Sequence, residues 1–420
     1  MEFNETLHSP EVNFYHEHPE LQTVFPTRQP DIEWVPEYSK YLARQEKRKA
    51  TENLQTHLPF GWPQKVEGPE VWDGNKFKTE NGGLGDATWV VHFAPSHIRD
   101  FERALAYYRV HVEMPLGYVN RKTFPLSEDT IKFLRNCSKR IHQGDGLLVL
   151  RGLNPDKYDA EENAVIYAGL SSYIGDRRGF QSRFTKEVMI HIKDTGKTLT
   201  PNPMASYTNQ AQPFHSDLGD ILGLYALEVS ETGGTSHVAS TAQVYNEIAA
   251  TRPDIIHTLS SLWVIDGYDY TKDPAYMLRP LLFHEDGHVI LNYARRLFTG
   301  VGTLTRSQYL PAISEAQAEA LDALEFTARK VGTSMMLQKG DIQFQNNLAT
   351  VHGRDGFEDG DSKRHLLRLW LQDDEYAWKV PPALMGEWNG VFDPTKKPED
   401  EVFPDAPTRA GATDTTTSCS

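Results

Sequence analysis

Cysteine is nearly absent: the chain has two among 420 residues, Cys137 and Cys419. Two cysteines that far apart give no disulfide framework and no cysteine-built zinc site. Positive charge is also short. Lys and Arg number 43 against 58 Asp and Glu, for a net charge of −15. This argues against a broad basic face for nucleic acid. No apolar run approaches the roughly 20 residues that a membrane-crossing helix needs. The opening MEFNETLHSPEVNF is acidic and lacks the apolar stretch of a secretory signal. The expected partner is therefore a small molecule, in a reducing, cytoplasmic compartment, with neither nucleic acid nor membrane involved. Oligomeric state stays open. Core-forming material is plentiful, with 39% hydrophobic and 11% aromatic residues.

The chain divides simply. Residues 1–85 are polar and proline-rich and end in NGGLGD, which reads as an extension wrapping a core. Residues 86–393 carry the periodic patterns of a folded domain. From 394 to 420 the chain turns to Pro, Asp, Thr and Ser, the composition of a disordered tail. Strands are expected over 88–93 (TWVVHF) and 147–152 (LLVLRG), and helices over 96–111, over 128–142 after Ser127, and within DAEENAVIYAGLSSYIG. The clearest helix covers 314–330. There Ser314 and Gln317 form a capping box, and Ala318, Leu321 and Leu324 recur at helical spacing.

Chemistry concentrates in histidine and arginine. His215 and Asp217 lie in QPFHSDLGD, His352 lies in NNLATVHGRDGF, and Arg364 follows in KRHLLRLWL. Two histidines and a carboxylate can hold a divalent iron on one face of its octahedron and leave the other face open. Chance alone supplies about one His-x-Asp triplet in such a chain. A second triplet, His284-Glu285-Asp286, does occur, but Asp286-Gly287 separates two β-rich runs and reads as a hairpin tip. His215 instead precedes LGDILGLYALEVS, a strand entering a core. Residues i and i+2 of a strand share a face, so His215 and Asp217 can reach one ion. In the strand RHLLRLWL one face carries Arg364, Leu366, Arg368 and Trp370. Its two arginine positions lie about 13 Å apart at strand rise, and each guanidinium can grip a carboxylate with two hydrogen bonds.

FHSD at 214–217, ETGGTSHVAS at 231–240, GDIQFQNNLATVHGR at 340–354 and RHLLRLWL at 364–371 occur in this order. Together they resemble the iron(II)/2-oxoglutarate-dependent dioxygenases of the taurine dioxygenase and 2,4-dichlorophenoxyacetate dioxygenase superfamily, fungal members included. The resemblance implies an α+β fold, a double-stranded β-helix (jelly-roll) core with flanking helices. It implies Fe(II) held by His215, Asp217 and His352, with 2-oxoglutarate and O2 as co-substrates. Arg364 and Ser236 would hold the far carboxylate of 2-oxoglutarate, and Arg368 an anionic substrate group. Leu218, Ile342 and Phe344 are candidate apolar walls, with plain core packing as the alternative. Gln210 is a candidate hydrogen-bond donor, and the loop GDRRGFQSRF at 175–184 a candidate lid. The implied reaction takes hydrogen from a small anionic or amino-acid-like substrate, with release of succinate and CO2. Hydroxylation is the default. Oxidative C–N ring closure to an aziridine, or desaturation, of a small amino acid in fungal secondary metabolism is the alternative. A binding protein without activity, or a zinc hydrolase using the same ligands, are readings from other classes. Asp217 speaks against a halogenase, which needs that ligand position free for chloride.

Overall fold

A computed structural model describes residues 28–77, 89–182, 185–196, 205–267, 276–302 and 304–408, together with Phe14, His18 and Pro26. Its largest sheet runs β1 (Val90–His92), β2 (Leu147–Arg151), β14 (Ile342–Asn346), β6 (Ile221–Glu228) and β17 (His365–Gln372). On the far side of β17 lie β3 (Arg177–Arg178) and β4 (Met189–Ile192). All these pairs are antiparallel except β1 with β2. A second, antiparallel sheet runs β13 (Thr333–Met335), β8 (Ser236–Ser240), β15 (Thr350–Arg354) and β5 (Gln212–His215). Among the described residues three small ribbons complete the strands. They are β7 (Thr232–Gly233) with β16 (Phe357–Glu358), β9 (Trp263–Asp266) with β10 (Tyr276–Arg279), and β11 (Leu282–Glu285) with β12 (His288–Leu291).

Strand alternation separates two cores. Leu367, Leu369 and Leu371 of β17 pack with Ile342 and Phe344 of β14 against the helices Pro95–Tyr107, Glu128–Gln143 and Ala160–Ser171. Leu366 and Trp370 point to the opposite face. Burying each such side chain contributes about 1.5–3 kcal/mol, so both faces of β17 are pinned and its register cannot slip. The helices start where side chains cap them. Ser127 Oγ accepts from Thr130 N, and Asp159 with Glu162 forms a capping box. The helix Glu315–Val331 backs the second sheet, and Ser314 and Gln317 exchange hydrogen bonds of 3.1 and 2.9 Å at its start. The first expected helix is α-helical to Tyr107 and then widens into a π-helical turn over Tyr108–Val112. Among the described residues no helix is long and apolar enough to cross a membrane.

Charge is buried on the helix Glu315–Val331, and it is matched. Glu319 accepts from Arg48 and Arg252, and Asp322 from Arg44 and Arg295. Arg44 and Arg48 belong to the helix Tyr38–Thr51, so residues of the N-terminal extension are bolted to the core. Removing one partner would strand a buried charge, which costs about 3–5 kcal/mol.

Two expectations need correction. Disorder from 394 does not hold for residues 394–408: Val402 bridges Glu187, Arg178 pairs with Glu401, and Pro404 O accepts from His191 Nε2. Residues 409–420 lie outside the described residues. The loop at 175–184 is not a free lid over its described part. Arg178 is buried and donates to the carbonyls of Val119 and Gly117, and Gln181 bonds to Arg368. Arg183 and Phe184 lie outside the described residues.

Candidate metal and co-substrate site

Strand register assembles the candidate ligands. His352 of β15 is the direct partner of His215 at the end of β5, and their rings lie 4.2 Å apart. After His215 the chain turns, with Gly219 at φ 98°, and Asp217 comes back beside the pair. His215 Nε2 is 4.0 Å from Asp217 Oδ1, and one ligand atom from each of the three residues lies within 4.8 Å of the others. His215 Nε2, Asp217 Oδ1 and His352 Nδ1 are buried without a hydrogen-bond partner among the described residues. Buried polar atoms are normally satisfied. One orphan on each of three converging ligand residues is what a cation site leaves when its cation is not counted.

The other side-chain polar atoms of His215 and Asp217 are held. Pro213 O accepts from His215 Nδ1 at 2.9 Å, which leaves Nε2 unprotonated. Asp217 Oδ2 accepts from Arg368 Nη1 at 3.0 Å and from Trp370 Nε1 at 3.1 Å, leaving Oδ1 free. Asn347 grips the backbone on both sides, accepting from Asp217 N at 3.0 Å and donating to Asp217 O and to Gly219 O. Such outer partners set ligand orientation. Burial pushes the His215 imidazole below its ordinary pKa and His352 down to about 3. Burial raises Asp217, but the Arg368 charge, the two imidazoles and the Trp370 hydrogen bond outweigh it and hold the carboxyl low. Neutral imidazoles and an ionised carboxylate are the forms that bind metal. Two nitrogens and one oxygen suit Fe(II).

A cavity opens between the two sheets beside this cluster, and Asp217 and His352 line it. Arg364 and Ser236 line it too, so the structure brings both expected co-substrate residues to the ligands. Arg364 is 6% exposed, lies over the Phe357 ring at 5.3 Å, and has Nη1 buried without a partner among the described residues. Burial lowers its pKa to about 10. Arg368 also reaches the cavity, but its guanidinium is committed: Nη1 to Asp217 and Nε to Gln181 Oε1 at 2.7 Å. It braces a candidate ligand while still lining the cavity.

The expected apolar walls lie elsewhere. Ile342 and Phe344 face the helices, because β14 alternates and it is Gln343 that lines the cavity. Leu218 is 2% exposed and packs in the core with Phe214 and Trp370. The Gln210 side chain is exposed, and its carbonyl accepts from Arg354 Nη2 at 2.6 Å; Gln212 takes the place in the cavity wall. His284 is exposed beside the Asp286-Gly287 turn of the β11–β12 hairpin, as its pattern indicated. Sequence reasoning missed Asn347, Gln181 and Arg354. Only Arg354 left a local signal: it lies two residues after His352 on the same strand.

Residues 113–370 match the taurine catabolism dioxygenase TauD, TfdA family. The taurine hydroxylase-like protein SAT17 of Stachybotrys chartarum is 35% identical over 350 residues, covering 81% of this chain and 88% of that protein. Among solved structures, asparagine oxygenase with Fe(II), 2S,3S-3-hydroxyasparagine and succinate superposes at a TM-score of 0.50 and 16% identity, over 68% of this chain and 93% of its own. The non-heme iron oxygenase OrfP with Fe, succinate and (3R,4R)-dihydroxy-L-Arg superposes at 0.51 and 16%, over 68% and 95%. At such identities the likeness is one of fold, an α+β fold shared with iron oxygenases. The chain belongs to the TauD, TfdA dioxygenase family of iron- and 2-oxoglutarate-dependent oxidoreductases.

Proposed function

We propose that this enzyme hydroxylates a small amino-acid-like or anionic substrate while 2-oxoglutarate is converted to succinate and CO2. One observation carries the reading: three candidate ligand residues each keep an orphaned polar atom, and two of them, Asp217 and His352, line a cavity that also holds the buried Arg364, which has no carboxylate ion-pair partner among the described residues. In this reading His215, Asp217 and His352 hold Fe(II), which when bound supplies the oxidising power. Arg364, with Ser236, holds the far carboxylate of 2-oxoglutarate and sets its reach toward the ligands. Arg368 and Trp370 keep Asp217 ionised and aimed. Leu222, Leu224 and Leu366 keep the cavity dry, so a reactive oxidant meets substrate before water. Antiparallel sheets on either side of the cavity support the jelly-roll reading of the core. Hydroxylated asparagine and arginine in the two solved relatives support an amino-acid class of substrate. The intact ligand set speaks against a binding protein without activity.

The test is succinate release by purified protein with Fe(II), ascorbate and 2-oxoglutarate, against amino acids, sulfonates and aryloxy acids. Substrate-stimulated succinate with a product heavier by one oxygen supports hydroxylation. A product lighter by two hydrogens replaces it with ring closure or desaturation. Zinc binding without any 2-oxoglutarate turnover refutes the oxygenase reading.

A further inference from the structure

Arg354 is a third buried arginine in the same cavity, beside Arg364 and Arg368, and nothing in the candidate metal set requires it. It follows His352 by two residues on β15, so alternation turns both into the cavity. It is 7% exposed. Its guanidinium lies over the Phe357 ring at 4.9 Å, and that of Arg364 lies over the same ring at 5.3 Å. Two guanidiniums from two sheets thus converge on one aromatic side chain. Neither forms an ion pair with a carboxylate among the described residues, and Arg354 Nε and Arg364 Nη1 are both buried without a hydrogen-bond partner there. Ser236 is the register partner of Arg354, which puts a hydroxyl-bearing residue beside it. Arg354 Nη2 is used locally, donating to Thr208 O at 2.9 Å and Gln210 O at 2.6 Å.

A buried charge whose nearest carboxylates stand off beyond ion-pair distance, as Asp194 does from Arg354 and Asp359 from Arg364, is costly, and the two guanidiniums also repel each other. The arrangement makes sense when an anion visits. An ionised carboxylate has two oxygens and about four acceptor sites, enough for donors from two sides. We infer that Arg354 is a second co-substrate-binding residue, so that the far carboxylate of 2-oxoglutarate is gripped from β15 and from β17 together. The inference rests on the proposed function. Binding of the co-substrate then ties together the strand that carries His352 and, through the Thr208 and Gln210 carbonyls, the segment that leads into His215.

The test is calorimetric titration of the full-length, Mn(II)-loaded protein with 2-oxoglutarate and with 2-oxobutyrate, which lacks the far carboxylate. A lost charge-assisted bond is expected to weaken 2-oxoglutarate about tenfold or more in Arg354→Gln. The 2-oxobutyrate affinity stays as in the wild type. Arg354→Lys keeps the charge without the planar fork and recovers part of the loss. An unchanged 2-oxoglutarate affinity, or an equal loss for both acids, overturns the inference. If Arg354→Gln does not fold, Arg354→Lys is read in its place: loss confined to 2-oxoglutarate supports the role, and no loss or equal loss overturns it. A wild-type protein that binds neither acid refutes the proposed function itself, and the inference falls with it.

Discussion

Arg368 donates from Nη1 to Asp217 Oδ2 across 3.0 Å, with both side chains out of water. A residue expected to meet the substrate also holds a candidate metal ligand. Arg368→Gln should therefore act first on the metal. Outer partners of ligands are worth about 10–100-fold in metal affinity, and a loss of that size is expected in a Mn(II) titration. A normal metal affinity with only a raised substrate KM would return Arg368 to the substrate.

His215→Ala or His352→Ala should abolish succinate formation while the fold survives by circular dichroism, since each removes one of three converging ligands. Turnover that persists would remove that residue from the metal set. His284→Ala, on the exposed hairpin, should change activity little and stability by under about 0.5 kcal/mol.

Arg364→Gln should raise the 2-oxoglutarate KM far more than the substrate KM, because its free Nη1 faces the cavity wall where the co-substrate is placed. The loss of one charge-assisted bond predicts about 1.5–3 kcal/mol, roughly tenfold or more. Steady-state kinetics varying each substrate in turn separates the two, and equal effects would count against the assignment.

Asp220 gives a pH dependence of stability. It is 1% exposed, and burial pushes its carboxyl up to about 6. In the unfolded chain an aspartate titrates near about 3.9. Between those values the folded state binds the proton more tightly, so stability is full below pH ~4 and falls as pH rises through about 6. Asp220→Asn removes this dependence. The variant is expected to be more stable than wild type by roughly 2–3 kcal/mol at pH 7.5, with the gap closing toward pH 4. Urea unfolding at pH 4.5 and 7.5 measures it, and a gap that does not change with pH would contradict the burial argument.

The candidate ligands were readable because their spacing is local. His215 and Asp217 do not meet by strand alternation as expected, since β5 ends at His215 and a turn brings Asp217 back; the alternation of RHLLRLWL does follow a repeat of two, and β17 divides its leucines from Arg368 as that repeat requires. The wall residues failed for the same reason turned around. Ile342 and Phe344 were chosen for being apolar, yet the apolar face of β14 belongs to the helices and the polar Gln343 to the cavity. A short strand buried on both faces does not say which face meets the site.

Spacing, residue type and pattern thus named the candidate ligands, the candidate co-substrate arginine and the family, since each depends on a few residues close in the chain. Tertiary structure alone assigned Arg368 to Asp217, set Asn347 and Gln181 behind the ligands, and brought Arg354 and Arg364 over one Phe357. Those pairings join residues from separate strands and loops. Which guanidinium finds a carboxylate and which stays unpaired depends on how the sheets pack, and no local pattern encodes that.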